Sequence, residues 1–400
     1  MTGKMKYIVI IGDGMADFPL DELGGKTPLM AANKPYMDMM AREGACGKVL
    51  TIPEGFSPGS DVACMSIFGY NPAKHYTGRA PIEASGMGIK MEEKDVAFRC
   101  NLVYLENLSG NTIMGDYSGG HISTDEGRIL IDAVQRAIGG SEFIFFPGIS
   151  YRHIMLWKDG LFEMETTPPH DITEKNISSY LPKGKGADRI ISLMKDSQEV
   201  LREHPLSIKR EETGKFLANS IWLWGQGKRS QFPLFSDKYG LRGATVAAVD
   251  LIKGISSLIG FDAPHVEGAT GYLDTDYSAK AAKAIELIED YDIVYIHVEA
   301  PDEASHKGNA DEKIKAIEHI DREVVGNIYE KIGEHVKILI VTDHATPVTM
   351  KTHYACPVPF VIFEKGNRKI GCPSGYDERS GNLVMDGETL IELFIKGKQK

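Results

Sequence analysis

Apolar and polar positions follow two styles along this chain. Residues 6–11 (KYIVII), 292–298 (DIVYIHV), 336–341 (VKILIV) and 358–363 (VPFVIF) are short, nearly continuous apolar runs. Runs of that length without alternation predict strands buried on both faces, as in a parallel sheet. Between and beside them, residues 33–43, 279–289 and 310–332 carry apolar side chains at helical spacing, and 244–258 predicts a short strand and a helix. Residues 49–51 predict one more short strand. The βαβα rhythm predicts a doubly wound, mostly parallel α/β sheet.

From about Tyr76 to Trp224 the pattern changes. Strands are expected at 96–105, 112–114, 143–146, 154–157 and 161–165, with helices at 125–138, 187–204 and 211–222. Gly- and Pro-rich stretches at 77–88 and 224–233 flank this region and read as hinges. The expected organisation is one discontinuous α/β domain, residues 1–76 and 234–400, with a smaller α+β domain inserted at 77–233. A chain of 400 residues exceeds the usual size of a single core.

Composition narrows the partners. A net charge of −11 lacks the basic face that a nucleic acid requires. No apolar stretch approaches the roughly 18 residues of a membrane span, and the apolar run at 7–11 is too short for a signal peptide. The five cysteines have no C-x-x-C spacing and read as reduced thiols, which suits a cytoplasmic protein. The oligomeric state stays open at this level.

Chemistry gathers at strand ends. Asp13, in Gly-Asp-Gly, follows the first apolar run; a β-turn is the structural alternative. Asp302 and His306, four apart, share a face if that segment is helical, where a helix cap and a surface histidine would look the same. Asp343-His344 directly follows the run 336–341, with His353 nine residues on. A carboxylate at the end of a buried strand is costly unless a cation or donor meets it. Ser60 follows Pro58-Gly59 at the start of an expected helix, as an N-cap or as a nucleophile beside free backbone N–H groups. The carboxyl ends of parallel strands meet along one rim, so these seven residues could surround two divalent ions. The mixed oxygen and nitrogen donors suit Zn²⁺ or Mn²⁺ better than Ca²⁺, with Mg²⁺ or Co²⁺ as further options. Paired ions of that kind clamp a phosphoryl transfer and activate a serine hydroxyl.

Taken together, GDG at Asp13, PGSDVA at Ser60, APDEASHKG at Asp302 and His306, TDH at Asp343 and His344, and THYACPVP at His353 resemble the alkaline phosphatase superfamily. Within it the chain is similar, nearly end to end, to the archaeal-type cofactor-independent phosphoglycerate mutases. The resemblance implies an alkaline phosphatase-like fold and interconversion of 3- and 2-phosphoglycerate through a phosphoserine at Ser60, without 2,3-bisphosphoglycerate. It also implies that Asp302, His306 and His353 hold one metal, and Asp13, Ser60, Asp343 and His344 the other. His121, in MGDYSGGHIS, matches a substrate-contacting histidine of the family. Asp116 is expected to orient it, while Arg152 and Lys253 are expected to meet substrate anions. Arg79, Lys228 and Arg229, in the expected hinges, read as solvated. Ser305-His306-Lys307 departs from the Gly-His-Asp common in the family. That departure keeps open phosphotransfer to another small alcohol, as in homoserine-type relatives, or phosphomonoester hydrolysis.

Overall fold

The strand Lys6–Gly12 lies near the middle of a seven-stranded sheet whose order is Gly243–Val246, Ile293–Val298, Lys6–Gly12, Val336–Thr342, Val358–Glu364, Ala45–Leu50, Val384–Asp386. This computed structural model describes residues 4–108, 110–369, 371–381 and 383–397. The chain divides into two units, Met1–Tyr76 with Phe232–Lys400, and Thr77–Gln231. Among the described residues no helix is long and apolar enough to cross a membrane.

In the first unit the four strands from Gly243–Val246 to Val336–Thr342 are mutually parallel. Ile8, Ile10, Val294, Ile296, Ile338 and Ile340 share one core with Met37, Met40 and Ile317 from the helices on that face. The sheet is mostly parallel, as expected, with one reversal. Val358–Glu364 runs antiparallel to both neighbours. No crossover helix separates it from Val336–Thr342, and a parallel return needs one. The connecting residues are instead a loop that carries part of the site.

The expected helix at 310–332 is continuous but changes pitch. Ala310–His319 is α-helical, Ile320–Gly326 is a π-helical segment, and Asn327–Lys331 is α-helical again. The buried Asp321 in the π segment accepts hydrogen bonds from the backbone N–H groups of Met37 (2.7 Å) and Tyr36 (3.3 Å). It thereby caps a neighbouring helix, Pro35–Glu43, that has no side-chain cap of its own.

The second unit is an antiparallel sheet. Val96–Leu108 pairs with Arg152–Trp157, Asn111–Asp116 and Ser220–Lys228, and Phe143–Phe146 extends it beyond Arg152–Trp157. The helices Thr124–Ile138 and Ala187–Arg202 contribute Leu130, Ile131, Ile190 and Met194 to the core with Phe98, Leu102 and Trp222.

Three expectations here need correction. Residues 211–222 do not form a helix: Pro205–Glu212 is helical, and Ser220–Lys228 is a strand. Ile221, Trp222, Leu223 and Trp224 are all buried, and an apolar run buried on both faces does not reveal its period. The strand expected at 161–165 shrinks to Met164–Glu165. The supposed hinges are largely regular structure, since 77–88 contains the helix Arg79–Gly86 and 224–233 opens inside a strand. Their glycines serve close approach: a Cβ on Gly78 would lie 2.2 Å from the Gln226 carbonyl oxygen, and one on Gly227 would lie 2.3 Å from that of Thr77.

The cysteines also depart from expectation. Cys46 and Cys372 form a disulfide across 326 residues of sequence, with Cα atoms 6.3 Å apart. Cys64, Cys100 and Cys356 are free. Spacing carried no sign of the pair because the fold alone brings Cys372 beside the strand that holds Cys46.

Candidate metal centre and nucleophile

The register of the parallel strands builds the first half of the site. Gly12 pairs with both Val298 and Thr342, so Asp13, Glu299 and Asp343 leave the sheet side by side. Asp343 Oδ1 accepts from the Gly14 N–H at 3.0 Å and from the His344 N–H at 2.8 Å. Gly14 has φ +62°, and a Cβ there would lie 2.7 Å from both Asp302 Oδ1 and Thr346 Oγ1. Glycine is required at this position by conformation and by space.

Ser60 opens the helix Ser60–Ile67 but is not its cap; Gly59 takes that position without a side-chain bond. The Ser60 hydroxyl turns instead to His344, with Oγ 3.1 Å from Nε2. That nitrogen also stands 3.2 Å from Asp343 Oδ2 and 3.4 Å from Asp13 Oδ1. One helical turn on, the Cys64 thiol faces Asp343 Oδ2 at 3.8 Å.

The second half lies on the helix Ala300–His306 and the loop after Thr342. His306 Nε2 is 3.1 Å from Asp302 Oδ2 and 3.2 Å from His353 Nε2, and His353 Nε2 is 3.6 Å from Asp302 Oδ1. His306 donates through Nδ1 to the Lys351 carbonyl at 2.9 Å. Its Nε2 therefore faces inward, toward the other two. Thr346, which no motif marked, joins the halves: its hydroxyl lies 2.6 Å from Asp302 Oδ1 and 3.1 Å from His344 Nδ1.

The electrostatics ask for positive charge. Burial, reinforced by Asp343, Asp302 and Glu299, pushes the Asp13 carboxyl well above the usual range. Asp13 Oδ1 is buried with no hydrogen-bond partner. Burial opposes ionisation of Asp302, yet His353 and His306 outweigh it and hold that carboxyl well below its ordinary value. His306 rises to about 9 against burial because it bonds Asp302. His344 is pushed down to about 4, mainly by burial.

Two donor groups each bring their atoms within 4.8 Å of one another: Asp13, Asp343 and His344, and Asp302, His344 and His353. A third such group is Cys64, His297 and Asp343. Carboxylate oxygens and imidazole nitrogens converging on buried space, one oxygen orphaned, fit divalent cations of the Mn²⁺ or Zn²⁺ type. All seven residues singled out around the metals, Asp13, Ser60, Asp302, His306, Asp343, His344 and His353, meet in this cluster.

Lys253 is half-buried on the helix Asp250–Leu258, which packs on the helix Ser60–Ile67. Asp116, His121 and Arg152 belong to the second unit. Asp116 does not touch the His121 ring. Its Oδ1 accepts from the Ser118 N–H, the Ser118 hydroxyl and the Gly120 N–H, at 2.6–2.8 Å. That carboxylate organises a loop in which Gly119, Gly120 and His121 all have positive φ (58°, 69° and 48°). A histidine at positive φ is uncommon and concentrates at functional sites. The exposed His121 ring lies edge-on to Tyr117 and Tyr151. Arg152 stacks over Tyr151, 5.6 Å from the ring centre to Cζ.

Arg79, read as solvated, is instead partly buried. Its Nε bonds Glu83 at 2.8 Å, and the buried Arg99 approaches the other Glu83 oxygen at 3.1 Å. Arg99 lies 4.7 Å over the Trp224 ring. Burial opposes the charge on Glu83, but Arg99, Arg79 and Arg152 together hold its carboxyl below the usual value. Three guanidinium groups thus act on one carboxylate. No short motif announced this group, since its members come from three elements.

A family model described as 2,3-bisphosphoglycerate-independent phosphoglycerate mutase matches residues 41–207. A Geobacter sulfurreducens protein is 52% identical over 398 residues, covering 98% of this chain and 100% of its own. A Methanosarcina barkeri protein named 2,3-bisphosphoglycerate-independent phosphoglycerate mutase is 49% identical over 402 residues, with coverage of 98% and 100%. Among solved structures, one from Pyrococcus horikoshii is similar with a TM-score of 0.82 at 32% identity, covering 99% of both chains. A cofactor-independent phosphoglycerate mutase from Thermoplasma acidophilum shares the fold, with a TM-score of 0.62 at 24% identity over 98% of this chain and 99% of its own.

Proposed function

The chain belongs to the 2,3-bisphosphoglycerate-independent phosphoglycerate mutase family and is an enzyme of that kind, and we propose that it interconverts 3- and 2-phosphoglycerate through a phosphoserine at Ser60. The observation that carries this reading is the Ser60 hydroxyl, turned away from capping its own helix and 3.1 Å from His344 Nε2 in the middle of the donor cluster.

Asp302, His306 and His353 would hold one divalent cation, and Asp13, Ser60, Asp343 and His344 the other. Cations there supply the positive charge that activates a hydroxyl and offsets the phosphate. In the forward direction Ser60 Oγ attacks phosphorus, the Oγ–P bond forms, the bond from phosphorus to the 3-oxygen of glycerate breaks, and the serine proton passes to that oxygen. Glycerate then reorients. Its 2-oxygen attacks, the Oγ–P bond breaks, and the proton of the 2-hydroxyl returns to Ser60. Nothing is consumed, which is why no bisphosphate cofactor enters. The Ser60 and Asp61 N–H groups at the first turn suit the anionic phosphate.

In this reading His121 and Arg152 meet substrate anions, with Asp116 holding the His121 loop, and Lys253 meets the phosphate. The Ser305-Lys307 departure stays outside the donor cluster. Ser305 is buried with its hydroxyl on the Pro301 carbonyl, and Lys307 is exposed. The substrate is a charged metabolite, and we place the enzyme in the cytoplasm accordingly. The test is an enolase-coupled assay on 3-phosphoglycerate without added bisphosphate, with Mn²⁺ and with a chelator. Turnover is expected with Mn²⁺ and none after chelation; turnover of homoserine but not phosphoglycerate would sink this reading.

A further inference from the structure

Behind Asp13, inside the sheet, stands a histidine that no motif marked. His297, on the strand Ile293–Val298, is 1% exposed. Its Nε2 is 3.4 Å from Asp13 Oδ2 and its Nδ1 is 3.1 Å from Glu299 Oε1. The other Glu299 oxygen accepts from Lys280 Nζ at 2.9 Å. Lys280, fully buried, also donates to the His297 carbonyl at 3.0 Å. Burial alone would raise Glu299, but Lys280 and His297 bring it down to about 2. The buried order is thus Lys280, Glu299, His297, Asp13.

The inner contacts are close without being aligned. Asp13 Oδ1, both nitrogens of His297 and Glu299 Oε1 are buried and lack a hydrogen-bond partner. Buried groups of this kind are costly when left unpaired. The Glu299–Lys280 end is anchored, so the part free to adjust is the Asp13 carboxylate.

We propose that His297 is a positioning residue for the metal centre: it holds Asp13 Oδ2 from behind, so that Oδ1 faces the cation beside Asp343 and His344. The inference rests on the metal-centre reading above. With a carboxylate at each nitrogen, the ring serves both only as the imidazolium, with Nε2–H toward Asp13 and Nδ1–H toward Glu299, which Lys280 fixes. The competing role is that of a ligand in the group Cys64, His297 and Asp343. The distances argue against it, because each ring nitrogen lies within 3.4 Å of a carboxylate outside that group, Asp13 or Glu299.

The experiment uses full-length protein stripped of metal and titrated with Mn²⁺ by calorimetry, with Co²⁺ absorption as the second readout. His297→Leu is expected to weaken one Mn²⁺ equivalent by about 10–100-fold with unchanged stoichiometry, and to alter the Co²⁺ spectrum. His297→Gln, whose amide N–H reaches the place of Nε2–H, is expected to recover most of the affinity. Glu299→Gln preserves shape and is expected to cost about tenfold, which keeps the test open should the leucine variant not fold. Wild-type affinity in His297→Leu or in Glu299→Gln overturns the proposal, as does equal weakening in His297→Gln and His297→Leu. Loss of a whole equivalent in both His297 variants overturns it in favour of direct ligation. A wild-type protein that binds no Mn²⁺ sinks the metal-centre reading and this inference with it; a binding wild type with unaffected variants sinks this inference alone.

Discussion

The Thr346 hydroxyl donates to Asp302 Oδ1 at 2.6 Å, and this bond decides which nitrogen of His344 carries a proton. An ionised carboxylate only accepts, so the single hydroxyl proton is committed to Asp302. His344 Nδ1, 3.1 Å from the same oxygen, must then be the donor. With its pKa pushed down to about 4, His344 is neutral. Its Nε2 lone pair therefore points at Ser60, Asp343 and Asp13. One hydroxyl links the two donor groups and sets the tautomer of the histidine between them.

Thr346→Val is accordingly expected to lower kcat by about 10–100-fold with little change in KM. Thr346→Ser should restore most of the rate. Steady-state kinetics of the two variants checks this; equal losses would show that the methyl group, rather than the hydroxyl, matters.

Ser60→Ala is expected to lower turnover by at least about 10⁴-fold. Mn²⁺ affinity should fall far less, because the other donors remain. Intact-protein mass spectrometry after acid quench during turnover should show one added phosphoryl group on the wild type and none on the variant.

Asp116→Ala removes the acceptor of three hydrogen bonds in the His121 loop. Three successive residues at positive φ are not expected to hold without it. The predicted result is a KM raised about tenfold or more, with Mn²⁺ binding unchanged. Metal titration beside the kinetics separates this outcome from general unfolding.

Asp321 gives the pH dependence a sign. Burial raises its carboxyl to about 6, although the Met37 and Tyr36 N–H groups pull the other way. An unfolded aspartate titrates near 3.9, so the folded state holds this proton more tightly. The stability it contributes is full below about pH 3.9, declines as pH rises to about 6, and is flat above that. The span corresponds to roughly 3 kcal/mol at most. Urea unfolding should show the stability of Asp321→Asn minus that of wild type growing through this window and levelling off by about pH 7.

Much of the site was legible because metal and phosphoryl chemistry draws on few residue types. Asp13, Asp343 and His344 directly follow apolar runs, and a parallel sheet sends such strand ends to one rim. The runs 6–11, 292–298 and 336–341 were equally plain, being too continuous for edge strands. Residues 220–228 were not. With Ile221 through Trp224 all buried, helix and strand leave the same mark.

By itself, then, the sequence determined the strand runs, the donor residues and the serine among them, since burial and donor chemistry are written one residue at a time. Only the tertiary structure decided that Cys46 meets Cys372, that Thr346 links Asp302 to His344, that Arg79 and Arg99 share Glu83, and that His297 stands behind Asp13. These are relations between segments brought together by strand register and helix packing. A threonine, a core histidine or a paired arginine has no local spacing that distinguishes it from its many ordinary counterparts.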